Sequence, residues 1–154
     1  MIKKFVTGVG YALKGIAMGI KEERNVRIDI VAMIYVLWFS HFYSFSRAEM
    51  ALVVLVCFVV PAFELMNTAV ERAVDKPDAA HYDVAGRAKD AAAGGVLVAA
   101  MGAVAVAVVL FGDVTVLKSV LNHFVTDIPR LAGFILSVAA AYLFIISDKF
   151  TGKK

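Results

Sequence analysis

The chain has 154 residues, 61% of them hydrophobic and 19% charged, with a mean hydropathy of +0.80. Soluble domains run nearer half apolar and a quarter charged, so this composition predicts a bilayer protein. A net charge of only +3, with Lys and Arg clumped between apolar stretches, argues against a nucleic-acid partner, and a single cysteine excludes an internal disulfide or multi-cysteine metal site.

Residues 1–22 predict an amphipathic helix lying on the membrane surface. Phe5, Val9, Leu13, Ile16 and Ile20 recur at helical spacing, while Lys3, Lys4, Lys14 and Lys21 can reach headgroups. Gly8, Ala12, Gly15 and Gly19 form a second stripe that permits close contact with another helix. Lys14 interrupts the apolar character, so the segment reads as mature protein and not as a signal peptide.

Three apolar segments follow, over about 30–45, 50–74 and 91–111. The second contains Cys57 in the middle of an apolar run, where a buried, inert thiol is expected. The third is uncharged, is long enough to span a bilayer, and carries Gly95, Ala99, Ala103 and Ala107 at every fourth position. Residues 112–154 form an extension with a fourth span over 131–146, begun just after Pro129, which suits a helix's first turn. The expected fold is all-α and integral to the membrane: a surface helix followed by a transmembrane bundle.

Lys and Arg alternate between rich and poor connections along the chain. Lys3 to Arg27 are followed by Arg47 alone, then Arg72 to Lys89, then Lys118 and Arg130, and finally Lys149, Lys153 and Lys154. By the positive-inside rule this requires four crossings with both termini in the cytoplasm.

Charge at membrane depth costs about 2.5–3.5 kcal/mol per residue, so it calls for a reason. Glu64, Asn67, Glu71 and Asp75 are spaced three, four and four, which stacks them on one helix face. Left alone these carboxylates repel, so a cation must compensate them. Either a basic side chain such as Arg72 or Lys76 serves, at a solvated helix end, or a divalent metal does. Oxygen-only donors favour Mg²⁺ or Mn²⁺ over zinc. Two further clusters, EERNVRID over 22–29 and GRAKDAAAG over 86–94, fall on the same side. Each alone reads as an interfacial anchor. Together with the stripe they enclose one interfacial site with carboxylates for metal and cations for phosphate, an inventory that suits phosphoryl transfer. The P-loop pattern is missing: Ile16 stands where a lysine would follow Gly15.

At these residues the sequence resembles the small prokaryotic membrane lipid kinases, the diacylglycerol and undecaprenol kinases. The resemblance rests on ELMNTAVERAVD (64–75) and KDAAAGGVL (89–97), with GYALKG (10–15) and ERNVR (23–27) in order and spacing. It covers roughly residues 1–111 and implies a homotrimer with a surface helix and three spans per chain. Active sites shared between subunits near the cytoplasmic face would use MgATP to phosphorylate a lipid alcohol in the bacterial inner membrane.

By motif position, Glu64 resembles the base that accepts the lipid hydroxyl proton and Asn67 a nearby positioning group. Glu23 and Glu71 resemble metal ligands; Asp75, Lys89 and Asp90 match nucleotide-binding positions; Lys4 falls where some members have a lipid-facing arginine. GluArgAsn and LysAspAlaAlaAlaGly look more like the undecaprenol branch, while GlyArgAlaLysAsp echoes the diacylglycerol branch. AlaAlaHisTyrAsp (79–83) departs from the family's cytoplasmic loop, which leaves GTP open beside ATP. A transporter would spread polar groups through the bilayer, and the third span has none. A scaffold would not account for Glu64, Asn67 and Glu71 sharing a face.

Overall fold

The computed structural model describes residues 2–75 and 82–147. Among them the chain forms six α-helices and one 3-10 turn, with no strand. Lys76, residues 79–81 of the connection that follows, and the tail lysines Lys149, Lys153 and Lys154 lie outside the described residues.

Helix α1 (Ile2–Glu22) forms where the amphipathic periodicity predicts a helix, with Phe5, Val9, Leu13 and Ile16 exposed along it. It breaks at Glu23, whose backbone is extended, and α2 (Arg24–Phe39) follows at once. Hydropathy places this element at 30–45, yet it begins six residues earlier, because Arg24, Asn25 and Arg27 are compatible with helix although too polar for a hydropathy window. A 3-10 turn (Ser40–Phe42) ends it, with Ser40 Oγ donating to Leu37 O. Helix and turn together rise about 30 Å, the thickness of the hydrocarbon layer.

Helix α3 (Arg47–Val74) starts at a capping box: Ser46 Oγ accepts from Glu49 N at 3.3 Å, and Glu49 Oε2 accepts from Ser46 N at 2.7 Å. Helix α4 (Tyr82–Phe111) takes the GRAKD segment into its first turns. Helix α5 (Val114–Val125), absent from the sequence expectation, is begun by Asp113, whose carboxylate accepts from Thr115 N and Val116 N. Helix α6 (Ile128–Ile146) is capped by Asp127 and has Pro129 in its first turn, as expected for the fourth apolar segment.

The helices line up as α4, α3, α2, α6, with α5 on α6 and the end of α1 crossing α2 and α3. Neighbours run antiparallel. At one end Arg72 of α3 reaches Glu22 and Glu23, and Arg27 of α2 reaches Ile145 of α6. At the other, Tyr43 Oη donates to Phe111 O at 3.1 Å, and Trp38, Phe39, Phe42, Phe124 and Phe134 form a ring cluster.

The apolar residues mostly face outward, and among the described residues only Val26, Val53 and Val120 are buried hydrophobics. That inversion suits hydrocarbon as the solvent. Arg47–Val74, Asp83–Phe111 and Ile128–Ile146 are long and apolar enough to cross a membrane, with mean hydropathies of 2.2, 2.5 and 1.8. The molecule is an all-α membrane helix bundle.

Small residues act where helices meet. A Cβ on Gly95 would lie 3.3 Å from Phe63 Cδ1, so this end of the α4 stripe lets α3 approach closely. On α1 only Gly19 behaves in this way, against Leu65, while Gly8 and Gly15 have nothing within 4 Å.

Candidate active site

The last turns of α3 carry the acidic stripe. Glu64 is 9% exposed, Asn67 and Glu71 are half-buried, and Asp75 ends the helix in the open, its N–H bonded to Glu71 O at 2.9 Å. Asn67 Nδ2 donates to Glu71 Oε1 at 3.0 Å, so amide and acid are locked one turn apart. Asn67 Oδ1 is buried and has no partner among the described residues. Buried oxygens are normally satisfied, so this one marks a place where a cation or a donor belongs.

The start of α2 covers the stripe. The Asn25 side chain is within hydrogen-bonding reach of the Glu64 carboxyl, and Asp29, one turn on, is close enough to interact electrostatically with it. Asp29 Oδ2 is likewise buried without a partner. Neither residue was singled out in the sequence. The signal was available: Asn25 and Asp29 are four apart, hence on one helix face.

Arg72 holds the α1–α2 break against α3. Its Nη2 donates to Glu22 Oε2 at 2.9 Å and Glu23 Oε1 at 2.8 Å, and Nη1 lies 2.8 Å from Met18 Sδ. Arg72 therefore does not neutralise Glu71 or Asp75, the partners that proximity in sequence suggested. Its side chain lies on the neighbouring helix face, about 100° round from Glu71.

Lys89 of α4 meets Asp75 of α3, with Nζ 2.9 Å from Oδ1 and 3.2 Å from Oδ2. This joins the two longest motifs across one helix pair. Asp90, the next residue, is exposed. The arrangement thus brings together Glu23, Glu64, Asn67 and Glu71, with Asp75 and Lys89 at the edge. Lys4 is not among them: α1 is continuous, which puts Lys4 about 28 Å along its axis from Glu23.

Among the described residues no three His, Cys, Asp or Glu are grouped closely enough to hold a metal ion. Glu23 is engaged by Arg72 and Glu71 by Asn67. Mg²⁺ commonly takes one or two carboxylates and completes its shell with water and substrate phosphates. The all-oxygen donors here, with the unpartnered Asn67 Oδ1, fit such a hard cation.

Between α2, α3 and α4 runs an apolar cleft of about 250 Å³, with Asp29 lining one end and Phe111 the other. Carboxylates and a lysine at a membrane edge, opening beside an apolar cleft, define a site that serves a polar and a greasy partner together.

The family model described as prokaryotic diacylglycerol kinase matches residues 10–111, and the chain belongs to that family. It is a lipid kinase, and its chemistry requires a nucleotide phosphoryl donor. The chain is similar to the undecaprenol kinase of Bacillus subtilis, 31% identical over 110 residues that cover 71% of this chain and 89% of the relative. It is also similar to the diacylglycerol kinases of Haemophilus influenzae, 28% over 94 residues (61% and 80%), and Pseudomonas aeruginosa, 27% over 89 residues (58% and 72%). No solved structure matches the chain. The family match stops at Phe111, where α4 ends, so α5 and α6 lie beyond it.

Proposed function

We propose that the protein transfers the γ-phosphate of ATP to undecaprenol, giving undecaprenyl phosphate and ADP. The observation that carries this reading is the Glu64–Asn67–Glu71 stripe, closed by Lys89 across α4, in a chain of lipid kinase ancestry. In our assignment residues 1–111 are the kinase domain and 112–154 an extension that adds a fourth crossing. The meeting of α6's last turn with Arg27 at the start of α2 supports this count. Both termini then lie in the cytoplasm of a bacterial inner membrane, and the functional unit is a homotrimer with shared sites.

Glu64 accepts the proton of the lipid hydroxyl as that oxygen bonds to the γ-phosphorus; the bond from phosphorus to the β–γ bridging oxygen breaks, and ADP leaves. The start of α2 covers this carboxyl and limits its access to water, and Asn25 and Asn67 orient the acids around it. Glu71 and Glu23 would hold Mg²⁺ or Mn²⁺, which would supply charge neutralisation of the phosphate oxygens. Lys89 leaves Asp75 to bind phosphate, and Asp75 and Asp90 orient the nucleotide. Lys4 faces lipid at the membrane surface. ATP is the expected donor, and GTP is tested beside it.

Equal mole fractions of undecaprenol and diacylglycerol competing for γ-labelled ATP in one mixed micelle give the ratio of kcat/KM directly. Undecaprenyl phosphate in excess is expected. Phosphatidic acid in excess would assign the enzyme to diacylglycerol.

A further inference from the structure

Arg27 heads the fully buried side chains ranked by volume, at 2% exposure, and among the described residues no carboxylate pairs with it. Its guanidinium is held by backbone carbonyls instead. Nε donates to Ile145 O at 3.1 Å, and Nη1 donates to Ile20 O at 3.2 Å and Lys21 O at 3.1 Å. Those oxygens belong to the last turns of α6 and α1. Helix C-termini leave carbonyls without intrahelical partners and concentrate the negative end of the dipole, so one buried cation is compensated by two helix ends. A planar fork can address two helices at once, which a lysine's point charge cannot do in the same way.

The clamp has a consequence at the site. Arg27 lies one turn after Glu23, and its backbone N–H reaches Glu23 O at 3.4 Å. Glu23 is the pivot between α1 and α2, and its carboxylate is held by Arg72 of α3. Fastening Arg27 therefore fixes the pivot from behind, while Arg72 fixes its acid from the front. One arm of the clamp comes from α6, outside the residues that match the family.

We propose that α6 is a brace for the site: through the Ile145 carbonyl on Arg27 it holds the α1–α2 pivot, and with it Glu23, in register with α3. Arg27 and α6 are positioning elements and touch no substrate. The proposal rests on the reading of Glu23 as a metal ligand. It gives the C-terminal extension a purpose, since the extension stabilises the geometry of a site built wholly from other helices.

Phe134→Ala loosens α6 where it meets Trp38, Phe39 and Phe124. That contact lies about 16 Å along α6 from Ile145 and as far along α2 from Arg27, so the substitution touches no residue of the site. The full chain, as wild type, Phe134→Ala, Arg27→Lys and the double variant, is placed in bilayers. Mn²⁺ binding in the presence of ATP is read from the electron paramagnetic resonance of the free ion, with turnover and thermal unfolding alongside. Each single variant is expected to weaken Mn²⁺ binding about tenfold, the effect typical of lost outer-shell support, while the lipid KM stays unchanged. The double variant should be no worse than the weaker single, because both break one path. Wild-type Mn²⁺ binding in Phe134→Ala, or effects that multiply, would overturn the brace. Failure of the wild-type chain to bind Mn²⁺ with ATP would instead overturn the assignment of Glu23 beneath it.

Discussion

Glu64→Gln keeps the shape of the side chain and removes its charge and its ability to take a proton. The carboxyl is 9% exposed, has Asn25 within hydrogen-bonding reach, and interacts electrostatically with Asp29, Glu71 and Glu23. A positioned general base contributes about 10²–10⁴ in rate, so kcat should fall by that factor, about 3–5 kcal/mol of barrier. Folding should respond in the opposite sense. One negative charge leaves a group of four, and the amide can still bond Asn25, so the thermal midpoint should hold or rise. Nucleotide affinity should stay within about twofold, because Lys89 and Asp75 are untouched. The assay combines single-turnover transfer from γ-labelled ATP, equilibrium binding of a non-hydrolysable ATP analogue, and thermal unfolding in detergent. Turnover within tenfold of wild type would remove Glu64 as the proton acceptor. Lost activity accompanied by lost nucleotide binding and a lowered midpoint would reduce it to a structural residue.

Gly19→Ala places a methyl group against Leu65 Cδ2, next to Glu64, and should cost about 1–3 kcal/mol in thermal stability and lower kcat, whereas Gly8→Ala, with nothing within 4 Å inside α1, should leave kcat unchanged and hold or raise stability by up to about 1 kcal/mol. Lys89→Met breaks an exposed, solvent-screened pair that contributes little to folding, so the unfolding midpoint should barely move while the KM for ATP rises at least tenfold in steady-state kinetics. Asp29→Asn leaves the cleft's volume intact and changes its charged end; kinetics in mixed micelles should show a raised lipid KM at an unchanged KM for ATP.

The surface helix, the order of the apolar segments and the stripe on α3 were legible because each is a local periodicity. Helix starts were not, since hydropathy stops at the first charges while the helices run on through the interface: α2 begins at Arg24 and α4 at Tyr82. Helix α5 was not legible in the sequence, because twelve residues with Lys118 among them are too short for a span. The pairing of Lys89 with Asp75 could be anticipated from two motifs that travel together. Arg72 could not be placed: its partners Glu22 and Glu23 lie about fifty positions away, and only the docking of α1's end onto α3 brings them to it. The burial of Arg27 between two helix ends is a tertiary fact of the same kind, because Ile145 offers a backbone carbonyl that no side-chain pattern encodes.

The claim that phosphate passes from a nucleotide to a lipid alcohol at this membrane-edge site is tested most directly by label transfer. The purified full chain in bilayers containing undecaprenol is given γ-labelled ATP and Mg²⁺, and label is followed into the organic-soluble fraction. The account predicts labelled undecaprenyl phosphate, formed only with Mg²⁺ or Mn²⁺ present and suppressed at least a hundredfold by Glu64→Gln. Folded, nucleotide-binding protein that leaves every lipid alcohol unlabelled would contradict it.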